Sequence, residues 1–167
     1  YRQTRLGRDA QPFTMYKFRT MRVGSEVGGV YEAQGDVRVT KAGRFLRRSS
    51  IDELPQLVNI LRGDMSIIGP RPTLPDHPWP IEDYTPEQRR RFDVRPGVTG
   101  WAQVNGRKTV EWPQRLELDV HYVDRMSLGL DARILLKTVV RVLRMSDNLN
   151  VAATAPAVQS PPREEAA

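Results

Sequence analysis

Two adjacent carboxylates, Asp52 and Glu53, stand in the stretch SSIDELPQLVNILRGDMSIIGPRP (49–72), with Arg44, Arg47, Arg48 and Arg62 close by in sequence. Residue type alone leaves two readings open. Acids at a helix N-terminus stabilise it by about 0.3–1 kcal/mol through the macrodipole, and Ser50 followed by Glu53 fits a capping box. Carboxylates also bind Mg²⁺ or attack phosphorus, while arginine forks hold phosphate bidentately. Four arginines are more than two capping acids need. A nucleophile, a metal and cations around one phosphorus are what phosphoryl transfer requires.

Further residues fit that second reading, each with a plainer alternative. YKFRTM (16–21) offers Lys17 and Arg19 as supporting cations, or simply as solvated residues of an exposed strand. Asp64 is a third supporting candidate, and Arg71 sits in GPRP, which also reads as a rigid turn. In RPGVTGWAQVNGR (95–107), Arg95 and Arg107 flank Trp101, Gln103 and Asn105. That polar and aromatic mixture suits a nucleotide, although its glycines and proline also serve turns.

These residues must be positioned by a mixed α/β (α+β) fold. Residues 1–23 read as a small β unit, with GRDAQP supplying the turn and FTMYKFRTM alternating. The glycine-rich stretch 24–43 reads as a long loop and lacks the context of a phosphate-binding or dinucleotide fingerprint. Over 51–62, Leu54, Leu57, Val58 and Leu61 form one apolar stripe; Pro55 belongs near the first turn and Gly63 closes the helix. MSII follows as a short strand. The proline-rich segment 73–100 holds loops and one short helix near 86–92. A helix over 113–126 presents Leu116, Val120 and Val123 inward. In the next, 130–145, Arg133, Lys137, Arg141 and Arg144 share one face, and Ile134, Leu135, Val139, Val142 and Leu143 fill much of the rest. Such a helix resembles an interfacial one. One domain is expected over 1–146, with a disordered tail over 147–167.

Composition narrows the partners. The 167 residues carry a net charge of +6, which favours an anionic partner. With no cysteine, disulfides, thiol catalysis and cysteine-bound zinc are excluded; His77 and His121 are too few and too far apart for a histidine metal site. No apolar run is long enough to span a membrane. A basic nucleic-acid-binding module is the rival class, but the sequence carries no RNA-recognition motif, helix-turn-helix spacing or zinc knuckle, so no nucleic-acid partner is expected.

Taken in order, YKFRTM, GRFLRRSSIDELPQLVNILRGDMSIIGPRP, RPGVTGWAQVNGR and LELDVHYVDRMSLGLDARILLKTV resemble the bacterial sugar transferase family, the monotopic polyprenyl-phosphate phosphoglycosyl transferases, over nearly residues 1–145. The resemblance implies transfer of a sugar 1-phosphate from a UDP-sugar to a polyprenyl phosphate such as undecaprenyl phosphate, in ping-pong fashion, at the start of exopolysaccharide, O-antigen or capsule synthesis. It implies Asp52 as nucleophile, Glu53 as a Mg²⁺ ligand, Arg47 as a phosphate-binding residue, and Arg71 and Arg95 as residues of the nucleotide–diphosphate pocket. It further implies an anionic membrane surface as partner, on the cytoplasmic face of the bacterial inner membrane, with the 130–145 helix laid against the headgroups. The chain opens on Tyr1, inside the family's F-x-Q-x-R-x-G stretch, so a catalytic globule lacking its membrane segment is expected; by itself it is compatible with a soluble state or with an inactive scaffold of the same fold.

Overall fold

The computed structural model describes residues 1–25, 36–105 and 111–143. Arg107, Arg144, the tail over 147–167 and much of the glycine-rich stretch lie outside them. Strands β1 (Arg2–Leu6) and β2 (Pro12–Tyr16) form an antiparallel hairpin in which Arg2 faces Tyr16 and Leu6 faces Pro12. Asp9 and Ala10 turn the chain with positive φ. Strands β3 (Ser66–Ile68) and β4 (Gly97–Thr99) make a second, parallel pair. Helices α1 (Lys41–Arg48), α2 (Gln56–Arg62), α3 (Pro86–Arg89), α4 (Trp101–Asn105), α5 (Trp112–Asp124) and α6 (Leu128–Leu143) complete the described elements, so the expected mixed α/β class is the observed one.

The main core gathers Leu6, Trp79, Tyr84, Phe92 and Leu116, with Ile81 and Trp112 packed against it. As the spacing predicts, α5 turns Leu116 and Val120 inward; Leu116 is fully buried. Each such side chain contributes roughly 1.5–3 kcal/mol of burial. Three elements arise where the sequence reading places no helix or strand, namely α1, β4 and α4. Helix α1 starts where Thr40 accepts from the Gly43 amide at 2.9 Å. It lies so close to the preceding chain that a Cβ at Gly43 would stand 2.0 Å from the Thr20 carbonyl.

The expected helix over 51–62 is divided. Residues Ile51–Glu53 form a single 3-10 turn, and α2 begins only at Gln56, after Pro55. Ser50 adopts φ 57°, the left-handed region, and its side chain caps nothing there, so the capping box with Glu53 does not form. Pro55 supplies no amide hydrogen, which ends the first turn before the second begins.

Two helices turn their apolar sides outward. On α2, Leu57 and Leu61 are 55% and 89% exposed, while Asn59 is fully buried. The reason is polar. Asn59 Nδ2 donates to the Thr14 carbonyl at 2.7 Å and to Asp64 at 3.1 Å, and its Oδ1 accepts from the Tyr16 amide at 3.1 Å. These bonds dock the polar face of α2 on β2. On α6 the cations face α4 instead of standing free: Arg133 and Lys137 lie over the Trp101 ring, and Arg141 donates to the Gln103 carbonyl. The opposite side exposes Leu135, Leu136, Val139, Val140, Val142 and Leu143. Helix α6 is therefore amphipathic as expected, but the outward face of its described residues is apolar where a cationic one is expected, because an indole ring and the Gln103 carbonyl offer Arg133, Lys137 and Arg141 partners within the chain.

This packing predicts an inverted pattern of mutational cost. Asn59→Ala leaves the Tyr16 amide and Thr14 carbonyl unpaired, at about 1–3 kcal/mol for each buried group, whereas Leu61→Ala changes stability by less than about 0.5 kcal/mol. Urea unfolding of the two variants measures both values.

Candidate active site

The acidic pair is placed by a bond between distant segments: the Phe18 amide donates to the Asp52 carbonyl at 2.9 Å, seating the 3-10 turn against the chain just after β2. Lys17 thereby reaches Glu53, its Nζ 3.1 Å from Oε1. Arg71, on the loop after β3, approaches the same oxygen with both terminal nitrogens at 3.4 Å. Burial alone would push the Glu53 carboxyl up, but Lys17 and Arg71 outweigh it and hold the group down at about 2. The Lys17 ammonium is itself pushed down by burial, against the pull of Glu53.

Asp52 differs from its neighbour. Among the described residues its carboxylate takes no hydrogen bond and no ion pair. Burial raises it above the ordinary aspartate value, helped by the Glu53 charge and opposed by Lys17, Arg47 and Arg71. A helix terminus that keeps Asp52 strongly ionised is thus not what holds it; the pair precedes α2, and desolvation dominates. Arg47 stands nearby on α1, oriented by a 2.7 Å bond from its Nε to the Thr20 hydroxyl. A carboxylate held ionised by cations beside one with unused lone pairs separates two roles, charge anchor and nucleophile.

The other predicted residues fall in different places. Arg19 is exposed and lies over the Tyr1 ring. Asp64 accepts from Asn59 in the α2–β2 junction. Arg95 is exposed, with its guanidinium beside Gly63 at the far end of α2. Trp101 is engaged within the chain, with His121 stacked at 6.0 Å and Lys137 over its ring, and Gln103 and Asn105 bond to the Val98 and Trp101 carbonyls. Arg107 lies outside the described residues.

One residue escaped the sequence reading. Arg5 lines a narrow cleft together with Met15, Lys17, Gln56, Arg71 and Pro72. Burial and the neighbouring Arg71 push its guanidinium down to about 10. The hairpin register would have found it: Gln3 faces Met15, so Arg5 and Lys17 emerge on one side of the sheet. Among the described residues no group of three or more His, Cys, Asp or Glu could hold a metal. Glu53 nevertheless offers one carboxylate, and Mg²⁺ is usually held by one or two carboxylates plus substrate phosphates.

The electrostatics carry a signed expectation. Glu53, depressed to about 2, contributes stability that is full above its ordinary 4.5 and lost as pH falls toward 2. Carboxyl-carbon NMR should show Glu53 titrating near 2 and Asp52 above 3.8. Glu53→Gln should move Asp52 downward, since it removes a like charge and leaves two cations unpaired; an upward move would contradict the assignment.

Known proteins are similar to this chain in sequence. The family model described as Bacterial sugar transferase matches residues 1–145. The uncharacterized sugar transferase EpsL of Bacillus subtilis (strain 168) is 50% identical over 143 residues, covering 86% of this chain and 69% of the relative. The UDP-glucose:undecaprenyl-phosphate glucose-1-phosphate transferase of Xanthomonas campestris pv. campestris is 46% identical over 151 residues, 86% of this chain but 31% of the relative. The protein of the same name from Escherichia coli (strain K12) is 44% identical over 147 residues, 84% of this chain and 32% of the relative. The chain thus spans about a third of the length of the latter two. With its whole described structure inside the matched region, the chain belongs to the bacterial sugar transferase family.

Proposed function

We propose that this chain transfers a sugar 1-phosphate from a UDP-sugar to a polyprenyl phosphate such as undecaprenyl phosphate, the first step in building a cell-surface polysaccharide. The observation that carries this reading is the division of the acidic pair: Glu53 is fixed by Lys17 and Arg71, while the Asp52 carboxylate beside it takes no hydrogen bond or ion pair among the described residues. Relatives named for transfer from UDP-glucose to undecaprenyl phosphate support the substrate classes.

In the first half-reaction an Asp52 carboxylate oxygen attacks the phosphorus bonded to the sugar. The bond from that phosphorus to the bridging oxygen breaks, and UMP departs with the oxygen. In the second, an oxygen of the polyprenyl phosphate attacks the same phosphorus, the aspartyl oxygen–phosphorus bond breaks, and the Asp52 carboxylate is restored. Lys17, Arg47 and Arg71 hold the charge that develops on the phosphate oxygens. Arg5 adds a further cation at the cleft. Glu53 keeps this cation cluster from closing on Asp52, and its carboxylate would hold Mg²⁺ beside the donor phosphates. When bound, that ion supplies charge neutralisation to the phosphates.

We further propose that the chain docks on the cytoplasmic face of a bacterial membrane through the apolar faces of α2 and α6. Among the described residues no helix is long and apolar enough to cross a membrane. Faces this exposed on both helices match an interfacial arrangement, in which buried apolar area sets the affinity.

Two experiments test these readings. After incubation with Mg²⁺ and a panel of UDP-sugars, intact-mass measurement should show a gain of one phosphosugar that Asp52→Asn abolishes; an adduct retained in that variant would overturn the nucleophile. In vesicle flotation, Leu57→Asp with Leu61→Asp should abolish binding while high salt weakens it little. Binding that salt removes and these substitutions spare would instead make the contact electrostatic.

A further inference from the structure

The loop Pro70–Thr73 carries Arg71, and its four successive carbonyls are bonded from three separate places in the chain: β4, Arg91 and β1. The Gly97 amide donates to Pro70 at 2.9 Å, Arg91 Nη2 to Arg71 at 2.7 Å, Arg5 Nη1 to Pro72 at 3.2 Å, and the Leu6 amide to Thr73 at 2.9 Å. Two prolines remove the loop's own donors at positions 70 and 72. What fixes this loop is therefore supplied from outside it.

The strongest of these outside supports is charged. Arg91 and Asp119 are each only 3% exposed and pair at 2.8 Å, with a second bond from Arg91 Nε at 3.2 Å. Arg91 uses its remaining donors on the Arg71 carbonyl and on the Thr73 hydroxyl, 3.3 Å from Nη1. A buried ion pair is seldom the most stabilising way to fill such a space. This one has a geometric product: it joins α5 to the loop whose guanidinium rests on Glu53.

We propose that Arg91 and Asp119 are positioning residues, a buried pair that aims Arg71 at Glu53 and at the donor diphosphate. Neither touches the acidic pair; they act through the Arg71 backbone. Without the Asp119 charge, Arg91 would be a buried cation lacking its partner. It would turn toward water and release the carbonyl of Arg71 and the hydroxyl of Thr73. Only the effect on the donor rests on the function proposed above; the aiming of Arg71 does not.

The test therefore has one arm that needs no turnover. Arginine labelling with phenylglyoxal, mapped by peptide mass spectrometry, reads how firmly Arg71 is held. In Asp119→Asn the Arg71 labelling rate should rise several-fold while exposed Arg19 and Arg62 keep theirs; a rise shared by all arginines, or none at Arg71, would overturn the proposal. In the second arm the donor KM should rise about tenfold, the size expected of coupled neighbours, with kcat changed less than about threefold. Equal loss in kcat with KM unchanged would refute positioning of the donor. Should Asp119→Asn fail to fold, Thr73→Val removes one bond to Arg91 and keeps the ion pair; it should raise Arg71 labelling in the same direction by a smaller factor, and an unchanged rate would likewise refute the aiming. If wild type shows no turnover, the proposed function fails while the labelling arm still decides this one.

Discussion

The structure depends on one oxygen atom being over-subscribed. Oε1 of Glu53 meets Lys17 and both terminal nitrogens of Arg71, cations carried by segments 36 and 18 residues away from it in sequence. Two like carboxylates side by side would otherwise raise each other and compete for the same cations. Placing both cations on Glu53 breaks that symmetry. Glu53 remains ionised under all ordinary conditions, and Asp52 keeps its lone pairs uncommitted among the described residues, as the proposed attack on phosphorus requires. Removing water from the pair raises Asp52, but it also makes every surrounding cation more effective. The same burial therefore raises the Asp52 carboxyl and strengthens the pull of the cations around it.

The remaining elements can be understood as supports for that arrangement. The hairpin presents Arg5 and Lys17 on one side, and the Phe18–Asp52 bond brings the 3-10 turn to them. The parallel pair β3–β4 launches the Arg71 loop, whose carbonyls are bonded from β1, β4 and the buried Arg91. Helix α2 reaches the hairpin through Asn59 rather than through leucines. That choice has a consequence beyond stability, because it leaves the leucines facing away from the protein. Helix α6 makes the same exchange with Trp101 and the end of α4. Around an ordinary apolar core, these two helices use polar contacts to dock and leave their leucines and valines exposed.

Much of this was legible from residue order, and the failures have physical causes. Periodicity identified α5 and its inner residues because Leu116 and Val120 bury in the usual sense. It identified the stripe of α2 as well, but could not orient it. What buries Asn59 is the Thr14 carbonyl and the Tyr16 amide, 45 and 43 residues away, and neither leaves a local signal. The capping box failed for a similar reason: Glu53 found two cations through tertiary contacts stronger than a backbone amide three residues back. Arg5 was overlooked because its relation to Lys17 exists only through strand register. Helix α1, with glycine inside and four charges in eight residues, has little helical pattern; Thr40 and the close approach at Gly43 make it.

The claim at the centre is that cation pairing assigns the roles, with Asp52 the nucleophile and Glu53 the anchored partner. The most direct measurement is exchange of labelled UMP into the UDP-sugar with no lipid acceptor present, since only a covalent phosphosugar on the protein permits it. The account predicts exchange by the wild-type protein, none by Asp52→Asn, and slowed but detectable exchange by Glu53→Gln. Exchange that survives in Asp52→Asn and vanishes in Glu53→Gln would reverse the assignment and contradict the account.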